Sequence, residues 1–162
     1  MQERLLKPRY NYCLDTSVLI DLNEYYPSNV STFKPLWVNL ENLIKNNWAH
    51  APREVFKELQ SLDDSLLEWA KQNKNMFRQL DDLQVTKLKE ILKQFPNLCD
   101  PKKEYAHADP FIVAHALCEG CTVVTNEKPS APNARIIQIP NVCLSYKIRH
   151  ISLLELFHEQ NW

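Results

Sequence analysis

Short apolar runs alternate along this chain with stretches of helical periodicity, and no other pattern limits its fold so strongly. Residues 10–14 read as a short strand and residues 17–24 as the helix after it. Residues 31–45 are patterned as helix, with Leu36, Leu40, Leu43 and Ile44 on one face. A short strand is expected around Trp48 and Ala49. Pro52 then opens a helix whose apolar stripe is Val55, Phe56 and Leu59. Residues 62–74 and 80–95 carry two more helical patterns. The second sets Leu88, Ile91, Leu92 and Phe95 at i, i+3, i+4 and i+7, and Pro96 stops it. In "ADPFIVAHALCEG", Asp109 suits an N-cap, Pro110 the first helical position, and Gly120 the place just past the end. "CTVVTNE" and "ARIIQIP" read as β-branched strands, the latter stopped by Pro140. "ISLLELF" closes the chain as helix, with Ser152 and Glu155 at capping-box spacing. Strands alternating with helices predict an α/β fold with a parallel sheet covered on both faces. No linker or repeat interrupts the pattern, so residues 1–162 are expected to form a single domain.

Composition narrows the function. Apolar content is 44% and charged content 24%, ordinary values for a soluble globular protein. No apolar run approaches the roughly 20 residues of a membrane span. The first ten residues lack the apolar stretch of a signal peptide, so a cytoplasmic protein is expected. A net charge of −1 gives no general attraction to nucleic acid, although a local basic groove remains open. With one glycine, Gly120, the chain has no Gly-rich phosphate loop and no dinucleotide fingerprint. The five cysteines include Cys118 and Cys121 at C-x-x-C spacing. They lack a second pair at zinc spacing and fit reduced, mostly buried thiols better.

The acids carry the chemistry. In open α/β sheets ligands bind beyond the carboxyl ends of the strands. Asp15 follows the first strand, Glu127 follows "TVVT", and Asp109 starts the helix leading into that strand. A helix in a right-handed parallel unit runs antiparallel to its strands, so Asp109 belongs to the same rim. Glu54, in the first turn of the helix after the short strand, belongs there too, and Glu58 one turn on is a rival for its role. Each acid alone also suits a plain structural part: Asp15 and Asp109 as helix caps, Glu54 beside a helix dipole, Glu127 as a loop residue. Together they repel unless their pKa values rise or a cation neutralises them. All-oxygen, acidic ligands favour Mg²⁺ or Mn²⁺ over zinc, and such a cation activates water and clamps phosphate. Asp63–Asp64 and Asp81–Asp82 read as solvated helix starts. His115 reads as core, beside His107 and Asp109 at a tempting spacing.

On "YCLDTSVLIDL", "PREVFKEL", "ADPFIVAHAL" and "TVVTNE", in that order over roughly residues 10 to 130, the chain resembles the PIN-domain nucleases, which include the toxin ribonucleases of type II toxin–antitoxin pairs. The resemblance implies a three-layer α/β/α sandwich with a mainly parallel central sheet. It implies metal-dependent hydrolysis of RNA phosphodiester bonds by an endoribonuclease using Mg²⁺ or Mn²⁺, leaving a 5′-phosphate and a 3′-hydroxyl. Carried over residue by residue, Asp15, Glu54, Asp109 and Glu127 look catalytic, with Asp15, Asp109 and Glu127 as metal ligands. Thr16 or Ser17 looks like the hydroxyl that supports Asp15, and Thr125 and Asn126 flank Glu127. Arg53 and Lys128, with Lys57 and Arg135, are the nearest candidates for phosphate contacts. Two departures stand out: Glu127 is a glutamate where many members have aspartate, and extra helix separates Glu54 from Asp109.

The expected partners are RNA, an antitoxin protein or a second copy of the chain, with Tyr25, Tyr26 and Phe33 suited to such a face. Two rival readings keep the same acids. One is a PIN-like interaction module without turnover; the other is a metal-dependent phosphohydrolase acting on another phosphate ester.

Overall fold

A computed structural model describes residues 11–62, 64–98 and 107–162. Through them run β1 (Tyr12–Leu14), α1 (Thr16–Tyr25), α2 (Lys34–Lys45), β2 (Ala49–Pro52), α3 (Arg53–Leu59), α4 (Ser65–Gln72), β3 (Phe77–Arg78), α5 (Asp82–Gln94), α6 (Asp109–Glu119), β4 (Thr122–Val124), α7 (Ile139–Tyr146), β5 (His150–Ile151) and α8 (Leu153–Gln160). The sheet order is β3-β2-β1-β4-β5, and every neighbouring pair is parallel. All five carboxyl ends therefore share one edge, with β1 at the centre.

The strands are short, and β1, β2 and β4 are buried along their whole length, as a parallel sheet with both faces covered requires. Alternation along β1 sorts the two faces. Tyr12 points to α8: its hydroxyl donates to Glu159 and accepts from Gln160 Nε2 at 2.8 Å. Leu14 shares that side with Val18, Leu22, Leu40, Leu156 and Phe157, from α1, α2 and α8. Cys13 points the other way, to His50 and to His115 of α6. Helix α6 packs on β1, β2 and β4, flanked by α5 and α7. Pro110 and residues 112–116 of α6 are all buried, the mark of a helix enclosed on every side. This is the three-layer α/β/α sandwich expected. Among the described residues no helix is long and apolar enough to cross a membrane.

Several expectations hold at the helix starts. Asp64 caps α4, accepting from the backbone N–H groups of Leu66 and Leu67. Asp81 forms a capping box with Gln84, and Ser152 caps α8. Gly120 ends α6 at φ 67°, the left-handed conformation a side chain strains to adopt. Asp63, Cys99 and Tyr10 lie outside the described residues.

Other expectations change. "ARIIQIP" is not a strand. Pro140 is the second residue of α7 instead of stopping a strand, because Gln138 and Asn141 form a reciprocal capping box and a proline in the first turn lacks only an N–H that the helix never used. The fifth strand is His150–Ile151 instead, and β3 is a two-residue strand with no sequence signal of its own. Pro52 ends β2 and caps α3, one place before the first helical position. Asp109 is the first residue of α6, and Ala108 holds the N-cap.

Candidate active site

Asp15 leaves β1 at the centre of the sheet and is 2% exposed. It occupies the N-cap position of α1, yet its carboxylate makes no cap hydrogen bond. Its Oδ2 instead accepts from Ser17 Oγ at 2.6 Å and from Thr125 Oγ1 at 2.8 Å. Burial raises the Asp15 pKa above the usual carboxylate range; the two hydroxyls oppose that rise, and the Glu58 carboxylate adds to it. Of the two hydroxyls expected to support Asp15, Ser17 does so, while Thr16 Oγ1 is buried with no hydrogen-bond partner among the described residues.

The end of β4 meets β1 through the same groups. Asp15 N–H donates to Val124 O at 2.9 Å. Thr125 Oγ1, besides donating to Asp15, accepts from Glu127 N–H at 3.1 Å, so one hydroxyl links two acids. Asn126 N–H donates to Ser17 Oγ at 3.2 Å, and its amide nitrogen donates to Asp21 Oδ2 at 2.6 Å. Asn126 Oδ1 in turn accepts from Leu153 N–H at 2.9 Å, tying the start of α8 to the site. Asp21, a further acid one and a half turns into α1, carried no signal beyond its place in a helix.

Helix α3 contributes two glutamates on one face. Glu54, in its first turn, is 6% exposed; its Oε1 lies 3.8 Å from Lys57 Nζ, and its Oε2 has no partner among the described residues. Glu58, one turn on, is the one whose charge reaches Asp15. Its Oε1 also accepts from Ala108 N–H at 2.7 Å, immediately before Asp109. Glu58 thus joins the start of α6 to the central aspartate. Asp109 is half-buried in the first turn of α6, at the same edge. Glu127 is half-buried, and its Oε2 accepts from Ile139 N–H at 3.0 Å, at the start of α7. Cys143 lies under both corners: burial pushes its thiol up to about 12, and the Asp15 and Glu127 carboxylates push the same way.

The donor set at this edge is carboxylate oxygen, with the buried Asp15 carboxylate braced by the hydroxyls of Ser17 and Thr125. Those features fit a hard divalent cation. Arg53, Lys57, Lys128 and Arg135 are exposed around it. Lys128 shares a cleft of about 230 Å³ with Asn126, Glu127, Pro140, His150 and Ser152.

A second cluster sits deeper, between the sheet and α6. The side-chain donor atoms of Cys13, His50 and His115 lie within 4.8 Å of one another. His115 Nε2 and His50 Nδ1 are 2.8 Å apart, Gln84 Nε2 reaches His115 Nδ1 at 3.2 Å, and His50 Nε2 reaches Asn11 Oδ1 at 3.0 Å. Gln84 Nε2 also donates to Glu119 Oε1 at 3.0 Å. One direction satisfies every step: Gln84 donates to His115, His115 to His50, and His50 to Asn11. Burial keeps both imidazoles neutral, with pKa values lowered to about 3 for His50 and about 4 for His115. With every ring nitrogen engaged, this cluster is a core hydrogen-bond chain and stands apart from the acidic edge. His115 is core, as expected. Cys13, Cys121 and Cys143 are buried free thiols, and Cys118 is a half-buried one.

Residues 12–162 match the family described as a domain of unknown function, DUF4411. The chain belongs to that family. No functionally curated protein matches it. Among solved structures it is similar to a chain in the crystal structure of VapBC2 from Rickettsia felis bound to a DNA fragment from their promoter. That likeness has a TM-score of 0.51 at 18% identity and covers 87% of this chain and 97% of the other. At that identity the likeness is one of fold, and the fold is PIN-like. The family match reaches through α7 and α8, beyond the four segments on which the sequence resemblance rests.

Proposed function

We propose that this protein is a metal-dependent endoribonuclease, with Asp15, Asp109 and Glu127 as ligands of Mg²⁺ or Mn²⁺ and a glutamate of α3 completing the set. One observation carries the reading: a buried aspartate at the end of the central strand, braced by two hydroxyls, with its pKa raised by burial and by a neighbouring carboxylate. Nothing in the packing of a helix cap calls for that arrangement, and a bound cation would relieve it. Glu58 is favoured over Glu54 for the α3 position, because it is the one that feels Asp15 and holds the start of α6.

When bound, the cation supplies an activated water and neutralises a phosphodiester. The chain's own residues do the rest. Ser17 and Thr125 fix one oxygen of Asp15 and so orient the other. Glu58 holds α6 so that Asp109 faces the same edge. Arg53 and Lys128 contact the phosphate backbone on either side, as exposed cations next to an acidic centre. RNA is favoured over duplex DNA, since a net charge of −1 gives no general attraction to a duplex. The neighbouring fold was solved as VapBC2 on promoter DNA. For this chain that supports a role as the toxin of a toxin–antitoxin pair, with an antitoxin protein as partner.

The test is cleavage of a labelled RNA set, structured RNAs included, by wild type, Asp15→Asn and Asp109→Asn, in EDTA, Mg²⁺ and Mn²⁺. Cleavage is expected with metal only, and both substitutions abolish it. Cleavage that survives both, or a folded wild type inactive with every metal, sinks the proposal.

A further inference from the structure

Glutamate at position 127 has one more rotatable bond than the aspartate that a tight metal site favours. Freezing such a side chain costs conformational entropy. The structure removes that freedom before any ligand arrives. Glu127 Oε2 accepts from Ile139 N–H at 3.0 Å. The amide of Gln138 lies against the same carboxylate; with its nitrogen facing Glu127 it donates at 3.1 Å to Oε2 and at 3.3 Å to Oε1. That orientation is the chemically consistent one, since the opposite one sets its oxygen only against acceptors.

The loop between β4 and α7 is organised to keep Gln138 in place. Asn141 Oδ1 accepts from Gln138 N–H and from Ser130 N–H, each at 3.0 Å, and its amide nitrogen donates to Ser130 O at 3.0 Å. Gln138 and Asn141 complete a capping box at the start of α7. Backbone and side chain of Gln138 are thus held from one side while its amide holds Glu127 from the other.

We propose that Gln138 is a positioning residue for Glu127, holding its carboxylate as a rigid metal ligand at the carboxyl edge of the sheet. The proposal rests on the metal-site reading above. The partners that orient a metal's ligands are typically worth 10- to 100-fold in affinity. The Glu127 carboxylate is held by Ile139 N–H of α7 and by the Gln138 amide, so binding needs no rotamer search.

The experiment reads Mn²⁺ binding directly, by calorimetry and by the electron paramagnetic resonance signal of free Mn²⁺, on the whole chain. Gln138→Met keeps the length and removes the amide; Mn²⁺ affinity is expected to fall about 10-fold or more. Asp64→Ala removes the α4 cap and leaves Gln138 and every group that holds it in place. It is expected to lower the melting temperature while changing Mn²⁺ affinity less than about twofold. Wild-type affinity in Gln138→Met, or equal losses in both variants, overturns the proposal. Unchanged binding in Glu127→Gln overturns it as well, by removing Glu127 from the ligand set. Binding lost in Asp15→Asn but retained in Gln138→Met leaves the metal-site reading standing and sinks the role of Gln138 alone.

Discussion

At the scale of single residues, the buried carboxylate of Asp15 costs stability. Its folded pKa is raised, so the folded state binds that proton more tightly than the unfolded chain does. The sign follows: its contribution to stability is greatest at low pH and is lost as pH rises through the raised pKa. Asp15→Asn removes the charge and keeps the shape. The variant is expected to melt a few degrees above wild type at pH 8, with the gap narrowing as pH falls, in thermal scans without metal. The α3 glutamates separate by the same logic. Both lie on one helix face a turn apart, which is why sequence spacing could not choose between them. Glu58→Gln still accepts from Ala108 N–H but loses the charge near Asp15, so Mn²⁺ affinity is expected to drop about 10-fold. Glu54→Gln is expected to change it little. The reverse ranking in calorimetry assigns the role to Glu54.

At the scale of elements, helix starts were the most legible feature and short strands the least. A cap is local chemistry: Asp64, Asp81 and Ser152 each find their N–H partners within three residues. Asp64→Ala is expected to cost about 1 kcal/mol, a drop of roughly 2–4 °C in melting temperature, with RNA cleavage unchanged. Strands of two or three residues have no such local signature. "ARIIQIP" has β-branched composition, yet its polar groups are met by a cap and by Asn97 O, which accepts from Ile137 N–H at 3.1 Å, and not by a neighbouring strand. β5 has an ordinary sequence and becomes a strand because β4 has a free edge to pair with.

At the scale of the whole molecule, two polar systems lie on different levels of one sheet. The acidic edge is the proposed cation site; the chain from Gln84 through His115 and His50 to Asn11 is satisfied internally. The imidazoles have folded pKa values of about 3 and about 4, below the unfolded value near 6.5. Their neutral contribution is therefore complete above pH 6.5 and is lost as pH falls from there toward about 3. Melting temperature is expected to fall over that window, and the slope is expected to flatten in a His50→Leu, His115→Leu double variant. Added Mn²⁺ acts on the other system: it is expected to raise the melting temperature of wild type near pH 7.5 by mass action and to leave Asp15→Asn unmoved.

The sequence by itself determined the class of fold and the residues that could do chemistry. Alternating periodicities require a covered parallel sheet, and acids just beyond β1 and β4 and at the start of α6 must then share an edge. Only the tertiary structure decided how those acids are held. Ser17 rather than Thr16 braces Asp15, Glu58 rather than Glu54 reaches it, and Gln138 faces Glu127 from eleven positions on. Each of those choices is a hydrogen bond or charge contact set by how the backbone places the side chains in space. Periodicity reports which face a residue lies on; it does not report which partner waits there.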